Sequence, residues 1–156
     1  MPDYYAKVCL NGHTLIKRFP INDVEYCEEC GSLMICFCQN CDTIIKEWHY
    51  DDMLVLFPSL EAPPKYCKSC GEPYPWTKAS IEATAIMIQE DIELSELERK
   101  NLEESLPDII SETPKTKVAS IRVKKALLTA GQFTADALRE FVIDFGCELA
   151  KKSIGL

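Results

Sequence analysis

Tyr26-Cys27-Glu28-Glu29-Cys30-Gly31 and Tyr66-Cys67-Lys68-Ser69-Cys70-Gly71 are two copies of one short pattern. A third Cys-x-x-Cys pair, Cys38 and Cys41, stands between them. A Cys-x-x-Cys turn folds tightly enough to put two sulfurs on one ion. A Gly after the second Cys supplies the positive φ that such a turn needs. Gly31 and Gly71 hold that place, and Asp42 takes it after Cys41. Upstream, Cys9 and His13 form a fourth pair with three residues between them. Two pairs complete a tetrahedral shell with no open position, which marks a structural metal site.

Four pairs predict two Zn²⁺ ions per chain. The sequential partition places Cys9, His13, Cys27 and Cys30 on one ion, and Cys38, Cys41, Cys67 and Cys70 on the other. A cross-braced partition, with the first and third pairs sharing an ion, is the alternative. Iron is the other metal, held singly as in rubredoxin or as a cluster. Cys36 is a spare thiol, read as a small buried hydrophobe or as a substitute for Cys38.

The wider composition agrees with metal. The chain has 156 residues, nine cysteines and a net charge of −8. An odd number of cysteines cannot all pair internally. Met1 to Gly12 has no apolar core of a signal peptide, so the expected compartment is the reducing cytoplasm, where a disulfide framework does not persist. No apolar run approaches the length of a membrane span. Strong acidity is a poor global match to nucleic acid or to anionic lipid.

Composition changes near Tyr74-Pro75-Trp76-Thr77. Residues 1–76 read as a small double zinc-ribbon β region, and 77–156 as an α-helical bundle or extension, giving an α+β chain. Short β-type runs cover Thr14–Phe19, Leu33–Phe37, Thr43–Tyr50 and Met53–Phe57. Beyond 76, a helix capped by Thr77 or Ser80 runs to about Asp91. Ser95 and Glu98 form a capping box for a helix ending near Ser105. Ser105 and Pro107 open a short helix to Glu112. Thr113 and Pro114 open another, which Gly131 ends. Thr134 opens a last helix with Leu138, Phe141, Val142, Phe145 and Leu149 on one stripe. A β region this small buries little apolar surface, whereas structural zinc supplies on the order of 10 kcal/mol coupled to folding.

Other residues carry weaker signals. His49, in Trp48-His49-Tyr50, reads as a satisfied histidine rather than a base or ligand. Asp51 and Asp52 read as a solvated turn, and Cys147 as a small hydrophobe in the last helix. Trp76 reads as packing where the zinc region meets the first helix. No GxSxG, phosphate-binding glycine loop or HExxH is present, so no enzyme is expected. The stretch 113–135 holds Lys115, Lys117, Arg122, Lys124 and Lys125 and no acid. These bases are expected to face the acidic helices nearby, with a phosphate or nucleic-acid contact as the sharper alternative.

Tyr4-Tyr5-Ala6-Lys7-Val8-Cys9-Leu10-Asn11-Gly12-His13 resembles the start of a bacterial domain-of-unknown-function family, number 2321. Tyr66 to Thr77 is similar to a second stretch of it, and Asp108 to Thr116 to its helical half. The resemblance implies paired zinc-ribbon motifs ahead of a helical segment, with the metal ligands on the four pairs above. It leaves Cys36 outside that pattern and implies no activity. Taken together, the expected protein is a zinc-stabilised, non-enzymatic interaction module with a protein partner or a homo-oligomer. Nucleic-acid binding through the ribbon and the 113–135 helix is the alternative. Neither a membrane surface nor a small-molecule substrate is expected.

Overall fold

The computed structural model describes residues 3–21, 23–49 and 58–156. They divide into two compact units, Met1–Lys78 and Ala79–Leu156. The fold class is α+β: a small antiparallel sheet with the cysteine groups, then five helices.

In the first unit, β1 (Tyr4–Cys9) is the centre of the sheet. β2 (Thr14–Arg18), β3 (Met34–Ile35) and β4 (Glu47–Trp48) all pair antiparallel to it. Val8 lies opposite Thr14 and Ile35, and Tyr5 opposite Lys17 and Glu47. β2 and β3 fall within predicted runs, and the Thr43–Tyr50 run contributes β4. The Met53–Phe57 run, with Asp51 and Asp52, lies outside the described residues. β1 itself was not among the expected strands. Its residues are buried without alternation, including Lys7 at 3 % exposure, so the period-2 signal is absent. Lys7 is tolerated there because its ammonium donates to the Asp23 carbonyl at 2.6 Å and to the Glu25 carboxylate at 3.1 Å. Lys17 donates to the other Glu25 oxygen at 2.6 Å. These contacts, Lys17 first, hold the Glu25 carboxyl below its ordinary range.

α1 (Pro75–Glu90) runs across the division between the units. It starts with Pro at its first position, where no intrahelical N–H bond is lost. Thr77 is therefore not its cap; its hydroxyl donates to the Lys65 carbonyl at 2.8 Å. Trp76 is buried, stacks on Tyr74 at 4.7 Å, and donates its indole N–H to the Pro64 carbonyl.

In the second unit, α2 (Glu96–Ile110) opens with the expected capping box: Ser95 and Glu98 each accept the other's backbone N–H. It does not stop at Ser105. Pro107 lies inside it, and the two short predicted helices are one. Burial of Leu102, Leu106, Ile109 and Ile110 along one stripe outweighs the single hydrogen bond that Pro107 removes. α3 (Thr116–Thr129) follows a turn in which Thr113 Oγ1 accepts the Lys115 N–H. Gly131 caps the start of α4 (Gln132–Phe145) rather than the end of α3, so Thr134 lies inside α4. The predicted last helix is two. α4 ends at Gly146, where a Cβ would collide with the Val142 carbonyl, and α5 (Glu148–Ile154) follows. Cys147 is the half-exposed N-cap of α5, not a helix-interior residue, and its N–H donates to the Ile109 carbonyl. Leu106, Ile109, Val123, Leu138 and Val142 are fully buried and form the centre of this unit. Among the described residues, no helix is long and apolar enough to cross a membrane.

Candidate metal centres

Three tips of the first unit share one local construction. In each Cys-x-x-Cys turn, the first Cys carbonyl accepts the N–H four residues on, at 2.8 to 2.9 Å. Its own N–H donates to the carbonyl five residues on: Cys27 to Ser32, Cys38 to Thr43, Cys67 to Glu72. The residue after the second Cys has positive φ: 74° at Gly31, 60° at Asp42 and 76° at Gly71. Asp is one of the few non-glycine residues that accept this conformation. An aromatic residue precedes each turn and bridges an apolar one beyond it: Tyr26 to Leu33, Phe37 to Ile44, Tyr66 to Pro73.

The Cys9–His13 turn is the same device shortened by one residue. Gly12 N–H donates to the Cys9 carbonyl, Cys9 N–H to the His13 carbonyl, and the positive φ is at Gly12. This turn joins β1 to β2, so the central strand delivers Cys9. Asn11-Gly12 is a strong hairpin-turn dipeptide, and it was the unused sequence signal for β1.

The structure brings the eight residues together as two groups, Cys9, His13, Cys27 and Cys30, and Cys38, Cys41, Cys67 and Cys70. Within each group all donor atoms lie within 4.8 Å of one another. In the first, Cys9 Sγ is 3.7 Å from Cys30 Sγ and 3.4 Å from His13 Nδ1, and Cys27 Sγ is 3.5 Å from that nitrogen. In the second, Cys38 and Cys70 sulfurs are 3.7 Å apart, and those of Cys41 and Cys67 3.6 Å. These distances are far too long for disulfides. They match the edge of a tetrahedron around one ion: with Zn–S about 2.3 Å and Zn–N about 2.0 Å, donors stand roughly 3.5 to 3.8 Å apart. The donor sets therefore fit one metal ion each, in the sequential arrangement. A multi-iron cluster attaches its thiolates to different irons and holds them further apart.

Each group joins buried and exposed sulfurs. Cys9, Cys27, Cys38 and Cys67 are buried, while Cys30 and Cys70 reach the surface. Burial pushes the Cys38 thiol up to about 11 and also raises Cys9. Hydrogen bonds from Ser32, and then from the Asn11 amide, bring Cys30 down to about 5. Backbone N–H groups of Cys70 and Ser69 bring Cys67 down to about 6. The Asn40 side chain and then the Glu72 N–H lower Cys70. Asn11, Ser32 and Asn40 thus support thiolates on the exposed side of each group, a role the sequence reading had not assigned. A cation entering either group meets a prepared thiolate and displaces the proton from the raised thiol, Cys9 in one group and Cys38 in the other.

The remaining candidates lie elsewhere. Cys36 is buried and belongs to neither group. His49 also belongs to neither, and its Nε2 is 3.9 Å from Glu47 Oε1. Lys115, Lys117, Lys124 and Lys125 are exposed on and before α3, and none of the basic five forms an ion pair among the described residues. Arg122 turns to α2, onto the Asn101 carbonyl at 3.3 Å and the Ser105 hydroxyl at 3.0 Å. Arg122 thus faces the acidic α2 as expected, but meets backbone and hydroxyl oxygen there rather than a carboxylate, and Lys125 shares a groove with Glu98 of the same helix.

A family described as an uncharacterized protein conserved in bacteria (DUF2321) matches residues 3–154. Neither a curated protein nor a solved structure matches the chain.

Proposed function

The chain belongs to that bacterial family, DUF2321, and from this and the two donor sets we propose that it is a non-enzymatic interaction module of the bacterial cytoplasm, held in shape by two structural Zn²⁺ ions, that docks a protein partner or a second copy of itself. One observation carries the reading: each group offers four donors at tetrahedral spacing. Four protein ligands leave no position for substrate or activated water, so the ion supplies structure rather than Lewis-acid chemistry. Cys9, His13, Cys27 and Cys30 would hold one ion, and Cys38, Cys41, Cys67 and Cys70 the other. The histidine nitrogen of the first set favours zinc over a single iron there, and the shared turn construction extends that assignment to the all-cysteine second set. Thiolate sites of this kind suit a reducing compartment.

The test is elemental analysis of native protein with an absorption spectrum. Two zinc per chain and no visible band are expected. One iron per chain, or charge-transfer absorption, overturns the zinc assignment and turns the reading toward electron transfer.

Nucleic-acid binding is the second reading, favoured by the four exposed lysines Lys115, Lys117, Lys124 and Lys125 with no acid between them. A mobility shift that weakens with salt and is lost in the Lys124→Glu, Lys125→Glu variant would support it. No shift at low salt would end it.

A further inference from the structure

Four large apolar side chains of the second unit stand almost wholly in water: Ile92 at 89 %, Leu128 at 85 %, Phe133 at 82 % and Leu97 at 67 % exposure. They are not scattered. Ile92 and Leu97 flank the turn from α1 to α2, and Leu128 and Phe133 flank the turn from α3 to α4. The two turns are tied together, because the Asp91 carboxylate accepts the Gly131 N–H at 2.9 Å. Ile92 and Phe133 line one cavity of about 320 Å³ with Glu90, Glu93 and Gln132. Beside it, a groove of about 300 Å³ runs between the start of α2 and the end of α3, with Leu94, Glu98, Lys125 and Thr129 on its walls. One end of the helical unit therefore presents apolar knobs next to hollows. Clustered exposure of this kind marks a surface that is covered in use.

The charges around the knobs say what covers them. Glu90, Glu93 and Glu96 are exposed on the α1–α2 side. Lys124 and Lys125 are exposed on the α3 side, and Ile121, Lys124 and Leu128 recur at the spacing of one helix face. None of these five charged groups forms an ion pair among the described residues. An anionic membrane or a nucleic acid would meet the three glutamates as well as the lysines. A two-fold-related copy meets no such conflict: the acidic side of each chain faces the basic side of the other, twice, around a shared apolar centre. We propose that this end of the helical unit is the homodimer interface, with Ile92, Leu97, Leu128 and Phe133 at its centre and the glutamates and lysines as its rim. The proposal rests on the interaction-module reading and names a second copy as the partner.

The test uses two charge-reversed full-length chains, with metal content measured on the same samples. One carries Lys124→Glu and Lys125→Glu, the other Glu93→Lys and Glu96→Lys. Sedimentation equilibrium of wild type should show a monomer–dimer equilibrium at micromolar concentration. Each variant alone faces like charges and should dissociate at least about tenfold more readily. Mixed in equal amounts, the two should form a heterodimer of wild-type affinity, because both contacts are again opposite in sign. Wild type that stays monomeric through the high micromolar range overturns the proposal, even with both ions bound. Two variants that stay monomeric when mixed overturn it as well. So does a monomer that floats with phosphatidylserine vesicles in a manner lost on Phe133→Ser, which would assign the knobs to a membrane surface. A dimer without bound metal would leave this surface standing and remove the zinc reading.

Discussion

The carboxylate of Asp91 accepts the backbone N–H of Gly131, forty residues further along the chain, at 2.9 Å. Its other oxygen accepts the N–H groups of Glu93 and Leu94 at 2.8 and 3.1 Å. One buried side chain thus closes the turn after α1 and fixes the start of α4. Burial works to raise its pKa, but the Thr134 side chain and these three backbone donors outweigh burial and hold the carboxyl below its ordinary range. A depressed carboxylate contributes stability that is present above its unfolded pKa of about 3.9 and is lost as pH falls through the folded value. Asp91→Asn keeps a neutral acceptor for Glu93 and Leu94 and loses the charged one for Gly131. It should destabilise the helical unit by about 2 kcal/mol at neutral pH. The gap from wild type should close below about pH 4. Urea melts followed by helical circular dichroism at both pH values measure this; equal stability at pH 7 would refute it.

Three glycines in the metal turns have positive φ, but their surroundings differ. A Cβ on Gly12 would sit 3.3 Å from Trp76 Cβ, whereas one on Gly31 or Gly71 would meet nothing within 4 Å. Alanine at Gly31 or Gly71 carries only the backbone penalty, about 1–2 kcal/mol. Gly12→Ala adds displacement of a buried tryptophan and should be the most destabilising of the three. Thermal melts of the three variants with metal bound give the order directly.

Metal removal should separate the two units. The first has a sheet whose β3 and β4 are two residues each, and its cysteine tips fold around the donor groups. The second has its own buried centre and no donor group. A strong chelator should therefore red-shift tryptophan emission, since Trp76 is 2 % exposed and Trp48 belongs to β4. Most of the helical signal at 222 nm should survive. Loss of both signals together would show that the helices also depend on metal.

The donor pairs were legible because metal chemistry writes itself into local spacing: each pair lies within five residues, and each of the three Cys-x-x-Cys pairs is followed by Gly or Asp. The capping box at Ser95 was legible for the same reason, both partners being three residues apart. What could not be read depended on distant packing. β1 is buried on both faces, so its pattern does not alternate, and Lys7 hides it further by a partner sixteen or more residues away. Pro107 reads locally as a helix start, but a continuous buried stripe carries α2 through it. Gly131 reads as a helix end, yet its place is set by Asp91. The helix count agrees only because one predicted break was absent and another was missed.

The nine cysteines provide a sharp test of which thiols bear metal. Cys67 stands in the second donor group with its sulfur 3.6 Å from that of Cys41. Cys36 is buried two residues from Cys38 in sequence, but outside both groups. Both positions are buried, so loss of stability alone cannot tell ligand from packing. Stoichiometry can. Cys67→Ser leaves three strong donors and should lower bound metal from two ions per chain toward one. Cys36→Ser should retain two. Its hydroxyl replaces a buried thiol and should reduce stability by about 1–3 kcal/mol if it finds no hydrogen-bond partner. Cys36→Ala avoids that hydroxyl and should lie closer to wild type. Cys147→Ser, at a half-exposed helix cap, should change neither quantity appreciably. Inductively coupled plasma analysis of the purified variants, paired with thermal melts, reads both quantities. Loss of an ion from the Cys36 variants, with Cys67→Ser keeping both, would move that thiol into the shell and displace the assignment made here.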